Sequence, residues 1–230
     1  MRKFIIPALA IHLAGLVAPV FAEENQIKIK PELSLTVGSC SWEEAGTGQG
    51  SKFCGEGSLT LNIKEIMPNL DFSLSGKIGH MLEPIDENHN NPNKMYGIEG
   101  EIKYFSYLKN KIRINPYIGI GVEKWTRDHF KDSNIPEGKR WDSLKYSKAK
   151  AGIRLEGPLG YIEGGPTFQF FVDANKGANP KGDGGFYFEA GKKLEKFGFK
   201  VRYRETKFKG SKETPGFKRM TCQGGITYSF

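Results

Sequence analysis

The sequence predicts an all-β protein, a closed antiparallel transmembrane β-barrel of about ten strands with short turns at one end and long loops at the other. Three observations carry this expectation. Apolar and polar side chains alternate with a period of two in ten successive runs. The breaks between runs alternate between long and short. After Glu23 no apolar stretch approaches the ~18 residues a spanning helix needs, so a chain that crosses a membrane must do so with strands that close on themselves and satisfy every backbone N–H and C=O. Eight strands is the alternative count if two of the weaker runs merge.

Residues 1–22, MRKFIIPALAIHLAGLVAPVFA, come first. Arg2 and Lys3 precede an apolar run from Phe4 to Ala18, and Val20-Phe21-Ala22 forms a small-x-small site before Glu23 and Glu24. This is the pattern of a cleaved secretory signal peptide. The barrel domain is then 23–230. Loss of Arg2 and Lys3 leaves 32 of the 34 basic residues against 26 acids, so the net charge falls from +8 to about +6.

The first run sets Ile27, Ile29, Leu33, Leu35 and Val37 against Lys28, Lys30, Glu32, Ser34 and Thr36. Leu59, Leu61 and Ile63 mark the second run; Leu70, Phe72, Leu74 and Ile78 the third; Tyr96, Ile98, Ile102 and Tyr104 the fourth. Ile112, Ile114, Ile118, Ile120 and Val122 form the fifth, and Ala149, Ala151, Ile153 and Leu155 the sixth. Ile162, Phe168, Phe170 and Val172 follow, then Phe186, Phe188 and Ala190, then Phe199, Val201 and Tyr203. Ile226, Tyr228 and Phe230 close the series. Long polar breaks fall near 42–57, 81–94, 126–142, 173–184 and 208–218. The short ones are Met67-Pro68-Asn69, Leu108-Lys109-Asn110, Gly157-Pro158-Leu159 and Lys196-Phe197-Gly198. An even strand count puts both termini at the turn end.

Aromatic residues gather beside both sets of breaks. Trp42, Phe53, Trp125, Phe130, Trp141, Phe208 and Phe217 flank the long loops, and Tyr104, Phe105, Tyr107, Tyr161 and Phe197 the short turns. Two such groups are expected to be belts at the two membrane interfaces. A mean hydropathy of −0.48 excludes a helical membrane protein, and 12% aromatic residues exclude a disordered chain.

The last strand, Cys222-Gln-Gly-Gly-Ile-Thr-Tyr-Ser-Phe230, ends on an aromatic residue with Tyr228 and Ile226 at alternate positions before it. It resembles the C-terminal assembly signal of bacterial outer-membrane β-barrel proteins, a group of small porin-like and surface-protein barrels. Pro116-Tyr-Ile-Gly-Ile-Gly-Val122 is similar to a strand found in small members of that group. The resemblance implies insertion by the barrel-assembly machinery into the outer membrane of a Gram-negative-type bacterium. Membrane lipid and lipopolysaccharide are then partners. No cofactor is implied, and nucleic acid is not an expected partner for an exported barrel.

If the apolar faces meet lipid, strand parity turns the opposite faces inward. Twelve basic and nine acidic residues then lie inside: Lys28, Lys30, Glu32, Lys64, Asp71, Glu99, Glu101, Lys103, Arg113, Glu123, Lys148, Lys150, Arg154, Glu156, Glu163, Glu189, Lys193, Glu195, Lys200, Arg202 and Arg204. A barrel of this size is nearly filled by its own side chains, and charges removed from water must pair. Arg113, Arg154, Arg202 and Arg204 are expected to reach Glu99, Glu101, Glu163 and Glu189. A lumen filled in this way is structural. A narrow, weakly anion-selective diffusion pore is the alternative, because bases outnumber acids.

Two loops are basic. Arg127, Lys131, Lys139 and Arg140 lie among aromatic residues in 125–141, and Lys209, Lys212, Lys218 and Arg219 lie around the last loop. Such patches suit lipopolysaccharide phosphates or another external polyanion. The leading expectation is therefore a structural or surface-interaction barrel that is not an enzyme. Asp128-His129 with Asp132 is the one place where a carboxylate could orient an imidazole, as a hydrolase or lipid A-modifying enzyme would require. Omptin proteases use an Asp-x-His pair, whereas this pair is adjacent and would diverge on a strand. No His-x-Ser of the lipid A deacylase kind appears. The sequence offers no metal motif. Cys40 and Cys54 both fall on the inward parity across the first loop, where a bridge would close a segment of 15 residues. Cys40–Cys222 is the rival pairing, because first and last strands adjoin in a closed barrel.

Overall fold

The computed structural model describes residues 28–44, 48–81, 94–108, 112–126, 143–175, 180–210 and 216–230, which contain strands and turns and no helix. The strand segments are β1 (Lys28–Glu44), β2 (Gly48–Met67), β3 (Leu70–Met81), β4 (Lys94–Tyr104), β5 (Ser106–Tyr107), β6 (Arg113–Thr126), β7 (Ser143–Gly157), β8 (Gly160–Ala174), β9 (Lys181–Leu194), β10 (Phe197–Lys209) and β11 (Phe217–Ser229). Apart from β4 and β5, successive strands pair antiparallel, and β1 pairs with β11 from Glu32↔Ser229 to Glu44↔Phe217. β4 also pairs with β6, and β5 continues β4 along β6 beyond the break at Phe105. The result is a closed barrel of ten strands, which decides against eight.

Alternation sends one side chain of each pair outward, and the outward set is apolar. Leu35, Ile78, Ile98, Ile118, Ile153, Phe168, Phe186, Val201 and Ile226 all face out, with Ile98 64% exposed and Ile118 63%. A barrel dissolved in water would bury these residues. Their exposure in a continuous band is the inside-out pattern of a barrel solvated by lipid. At the turn end Tyr104, Tyr107 and Phe197 face outward, and Tyr228 lies 5.0 Å from both Phe197 and Phe230, ring centre to ring centre. Ile226, Tyr228 and Phe230 thus share the outward face of β11, and the Phe230 amide donates to the Pro31 carbonyl of β1.

The breaks differ from their sequence outlines. β1 and β2 stay in continuous register from Lys28↔Lys64 to Glu44↔Gly48, so most of 42–57 is strand. Gly and Glu are the commonest residues of that stretch and show no apolar alternation, so backbone pairing is carried there without a side-chain signal. Pro68-Asn69 joins β2 to β3, with Asn69 at φ 62°, the arrangement of a type II turn. Gly160, at φ 142°, follows Pro158-Leu159, and any Cβ there would lie 2.3 Å from the Gly191 carbonyl oxygen. The turn before β10 is Glu195-Lys196, one residue earlier than the spacing suggested.

One irregularity matters for the interior. Phe171 takes φ 48°, where an aromatic residue is strained, and the β7–β8 register shifts between Lys145 and Ser147. Before this bulge the odd-numbered residues Glu163, Thr167 and Gln169 face inward. After it Val172 and Ala174 turn in and pack on the internal aromatic cluster.

Candidate functional site

The lumen is built in two layers. At the loop end Trp42, Met95, Trp125, Leu144, Tyr146, Phe208 and Phe217 form a buried apolar cluster. Phe217 stacks on Trp42 at 4.8 Å and packs at a tilt on Phe208 at 4.4 Å, while Trp125 meets Tyr146 edge-on at 5.2 Å. Trp42, Trp125, Phe208 and Phe217 are therefore not a membrane belt, as their position beside the loops suggests, but a plug across the barrel. The reason is parity. Trp42 shares its face of β1 with Ser34 and Thr36, and Trp125 shares its face of β6 with Asn115 and Glu123. Phe105 and Tyr161 likewise point inward at the turn end, where the guanidinium groups of Arg113 and Arg154 lie 3.8 and 3.6 Å from the ring centres. Phe53 faces outward, while Phe130 and Trp141 lie outside the described residues.

Beneath the plug runs a network of ion pairs centred on Glu123. Its carboxylate receives Lys77, Lys148 at 2.8 Å, the Tyr146 hydroxyl and, at 3.8 Å, Arg204. Lys148 and Lys150 both reach Glu99, the latter at 2.5 Å, and Lys150 and Lys103 reach Glu101, the latter at 2.6 Å. Glu56 joins Arg202 at 2.9 Å and Arg204 at 3.8 Å. Arg202 also donates to Gln223 Oε1 at 2.8 Å and Thr36 Oγ1 at 3.2 Å. Smaller groups sit toward the turns: Arg154 with Glu163 at 3.3 Å, Asp71 with Lys64 at 2.8 Å and Arg113 at 3.0 Å, and Glu189 with Lys200 at 3.8 Å and the Tyr161 hydroxyl at 2.7 Å.

Of the expected arginine–carboxylate partners, the structure brings together Arg154 and Glu163. Arg113 instead takes Asp71, Arg202 and Arg204 take Glu56, and lysines hold Glu99 and Glu101. Inward-facing glycines explain the lysines. Lys150 stands opposite Gly119, which stands opposite Glu101; Lys148, Gly121 and Glu99 form a second such row. Lys77, Gly97 and Glu123 form a third. With no side chain on the middle strand, the lysine stem crosses it to a carboxylate one strand further. A Cβ on Gly119 would lie 3.0 Å from Lys150 Cε, and one on Gly97 would lie 2.7 Å from Lys77 Cε. Two residues of the network, Glu56 and Lys77, escaped the sequence reading. Parity would have found both, since Glu56 shares the even face of Ser58 and Thr60, and Lys77 the odd face of Asp71.

Below the plug the lumen holds a cavity of about 450 Å³ that runs from Tyr146 and Glu123 to Lys30, Asp71 and Arg154 near the turn end. A disulfide joins Cys40 to Cys54 with Cα atoms 5.9 Å apart, both buried inside the barrel. Cys222 is a free thiol on the outer face.

The basic loop candidates divide. Arg127, Lys131, Lys139, Arg140 and Lys212 lie outside the described residues, as do Asp128, His129 and Asp132. Lys209 ends β10 with its side chain 68% exposed, 3.6 Å from Asp183. Lys218 faces outward and pairs with Glu205 at 2.9 Å, beside Lys207 at 2.7 Å from the same carboxylate. Arg219 does not belong with them. Its parity turns it into the barrel, over the Trp125 ring at 5.0 Å, with Met95 Sδ at 3.5 Å and Cys40 Sγ at 3.7 Å. No group of metal-ligating side chains occurs among the described residues.

No protein family and no curated protein matches the chain in sequence. Among solved structures, the chain is similar to the translocator domain of the autotransporter NalP from Neisseria meningitidis, with a TM-score of 0.48 and 12% identity over 97% of this chain and 98% of that one. It is also similar to the outer-membrane protease OmpT from Escherichia coli, with a TM-score of 0.42 and 15% identity over 91% and 100% of the two chains. Neisserial surface protein A gives a TM-score of 0.38 and 11% identity over 88% and 97%. Likenesses at this level assign no activity. The closed barrel, its lipid-facing apolar band and its polar interior are those of an outer-membrane β-barrel.

Proposed function

We propose that this chain is a structural or surface-interaction barrel of the bacterial outer membrane, whose basic, aromatic loops contact lipopolysaccharide or an external polyanion. Residues 1–22 serve as its export signal, and the barrel-assembly machinery inserts it through the outward Ile226, Tyr228 and Phe230 face. One observation carries the reading: aromatic side chains from β1, β6, β7, β10 and β11 meet across the lumen and close it at the loop end. A closed lumen moves solute no distance, so contact with the surroundings falls to the loops and the outer rim. There Lys207, Lys209 and Lys218 stand above the apolar band, and the sequence adds Arg127, Lys131, Lys139, Arg140 and Lys212.

The test pairs two measurements on the folded protein. In a planar bilayer the wild-type barrel is expected to pass no steady current; conductance steps with anion preference would replace this reading with the diffusion pore. Glutamine at Arg127, Lys131, Lys139 and Arg140 together is expected to abolish salt-sensitive binding and leave barrel melting unchanged. Lipopolysaccharide vesicles and soluble heparin serve as separate probes, which distinguishes a lipid headgroup from a free polyanion. Binding that survives the four substitutions would sink the loop assignment.

A further inference from the structure

A second, much smaller cavity lies where the aromatic plug meets the ion-pair network. Its volume is about 10 Å³, the scale of a single small particle. Glu56, Trp125, Arg204, Thr206, Arg219 and Thr221 are among the residues that line it. Charge around this point does not balance. Lys77, Lys148, Arg202, Arg204 and Arg219 are five cations, and Glu56, Glu99 and Glu123 are three carboxylates; Glu99 must also serve Lys150. Among the described residues Arg219 makes no ion pair; its close contacts are a ring face and two sulfur atoms. A half-buried guanidinium that shares no direct ion pair, in a group where cations outnumber carboxylates, is unfavourable.

The unmet hydrogen-bonding groups at the cavity are of one kind. Trp125 Nε1 and Arg219 Nε are both buried without a partner, and both are donors with no capacity to accept. A particle that satisfies them must accept hydrogen bonds, and one that also offsets the surplus cations must be negative. We propose that this cavity binds one monatomic anion, chloride in ordinary media, between Arg204 and Arg219. Glu56 on the same wall is already engaged by Arg202 and Arg204 and leaves Arg219 to the anion. The ion would tie the plug to the network below it. This site is independent of whatever the loops bind.

The experiment uses the full exported barrel extracted from membranes in detergent. Its thermal midpoint is measured in sodium chloride and in sodium gluconate at equal ionic strength, because gluconate is too large for the cavity. The wild-type midpoint is expected to rise with the logarithm of chloride concentration and to stay level in gluconate. Arg219→Gln removes the charge and flattens the chloride response; Thr221→Val, a milder change on the same wall, weakens it severalfold. Crystals soaked in sodium bromide should show an anomalous peak between Arg204 and Arg219. A wild-type midpoint that ignores the choice of anion overturns the proposal, and so does a folded Arg219→Gln barrel with the wild-type chloride response. If Arg219→Gln does not fold, an unaltered response in Thr221→Val or a bromide-soaked crystal without that peak overturns it instead.

Discussion

The two layers of the lumen solve the same packing problem with opposite chemistry. Both fill a space about one barrel wide from inward-facing strand positions. At the loop end the filling is indole, phenyl and phenol rings within 4.4–6.4 Å of one another, which exclude water and require few polar partners. Toward the turn end it is Lys, Arg, Glu and Asp around a cavity of about 450 Å³. Charge in such a space is tolerable only when each group has partners, and many of the carboxylates there contact two or more cations. Tyr146 joins the layers, with its ring in the plug and its hydroxyl on Glu123. The contrast teaches that closure and rigidity are separable: the rings seal the barrel, and the ion pairs fix the spacing of its strands.

That separation can be broken from either side. Trp42→Ala with Trp125→Ala should have the largest effect, since removal of each buried ring costs about 3–5 kcal/mol. The same change should turn a silent barrel into a conducting one. A double variant that remains silent in a planar bilayer would show that something other than these rings closes the lumen. Glu123→Gln should leave conductance absent yet cost about 3–5 kcal/mol in denaturant unfolding, because Lys77, Lys148 and Arg204 lose their shared counter-charge. A loss below about 1 kcal/mol would mean that water in the cavity screens the network as a surface would.

Smaller effects sharpen the account of how the lower layer is built. Gly119→Val should cost about 1–3 kcal/mol by obstructing the Lys150 stem on its way to Glu101. Gly76→Val, at a position with open space around it, serves as the control for glycine loss alone; equal costs at the two sites would refute the crossing argument. Lys218→Ala, on the outer rim, should change stability by less than about 1 kcal/mol, since its pair with Glu205 is solvent-accessible. A larger loss in unfolding experiments would assign the rim a structural part.

Ten alternating runs, read with the long–short rhythm of the breaks, were enough to determine the barrel, its lipid-facing side and most of the inward charges, though not Glu56 or Lys77, and Glu195 lies exposed in the turn before β10. These features depend on local periodicity, which survives in a single strand. The cysteines also carried their own parity, and the bridge joins the two that share it. The plug was legible in principle by the same count and was obscured by proximity in sequence, because an aromatic residue beside a loop belongs to a belt or to a plug according to one step of parity. Arg219 was displaced for the same reason.

Partner choice in the network was decided only by the closed barrel. Which carboxylate a lysine reaches depends on which residue occupies the strand between them, and Gly97, Gly119 and Gly121 take that role only once register is set across three strands. The inward turn of Val172 and Ala174 likewise follows from a bulge at Phe171, a backbone event that leaves no periodic trace. The surplus of positive charge around Arg219 emerges last, because it is a property of side chains from seven strands counted together. Sequence periodicity assigns each residue to a face; only closure of the sheet brings those faces together and sets what each side chain must satisfy.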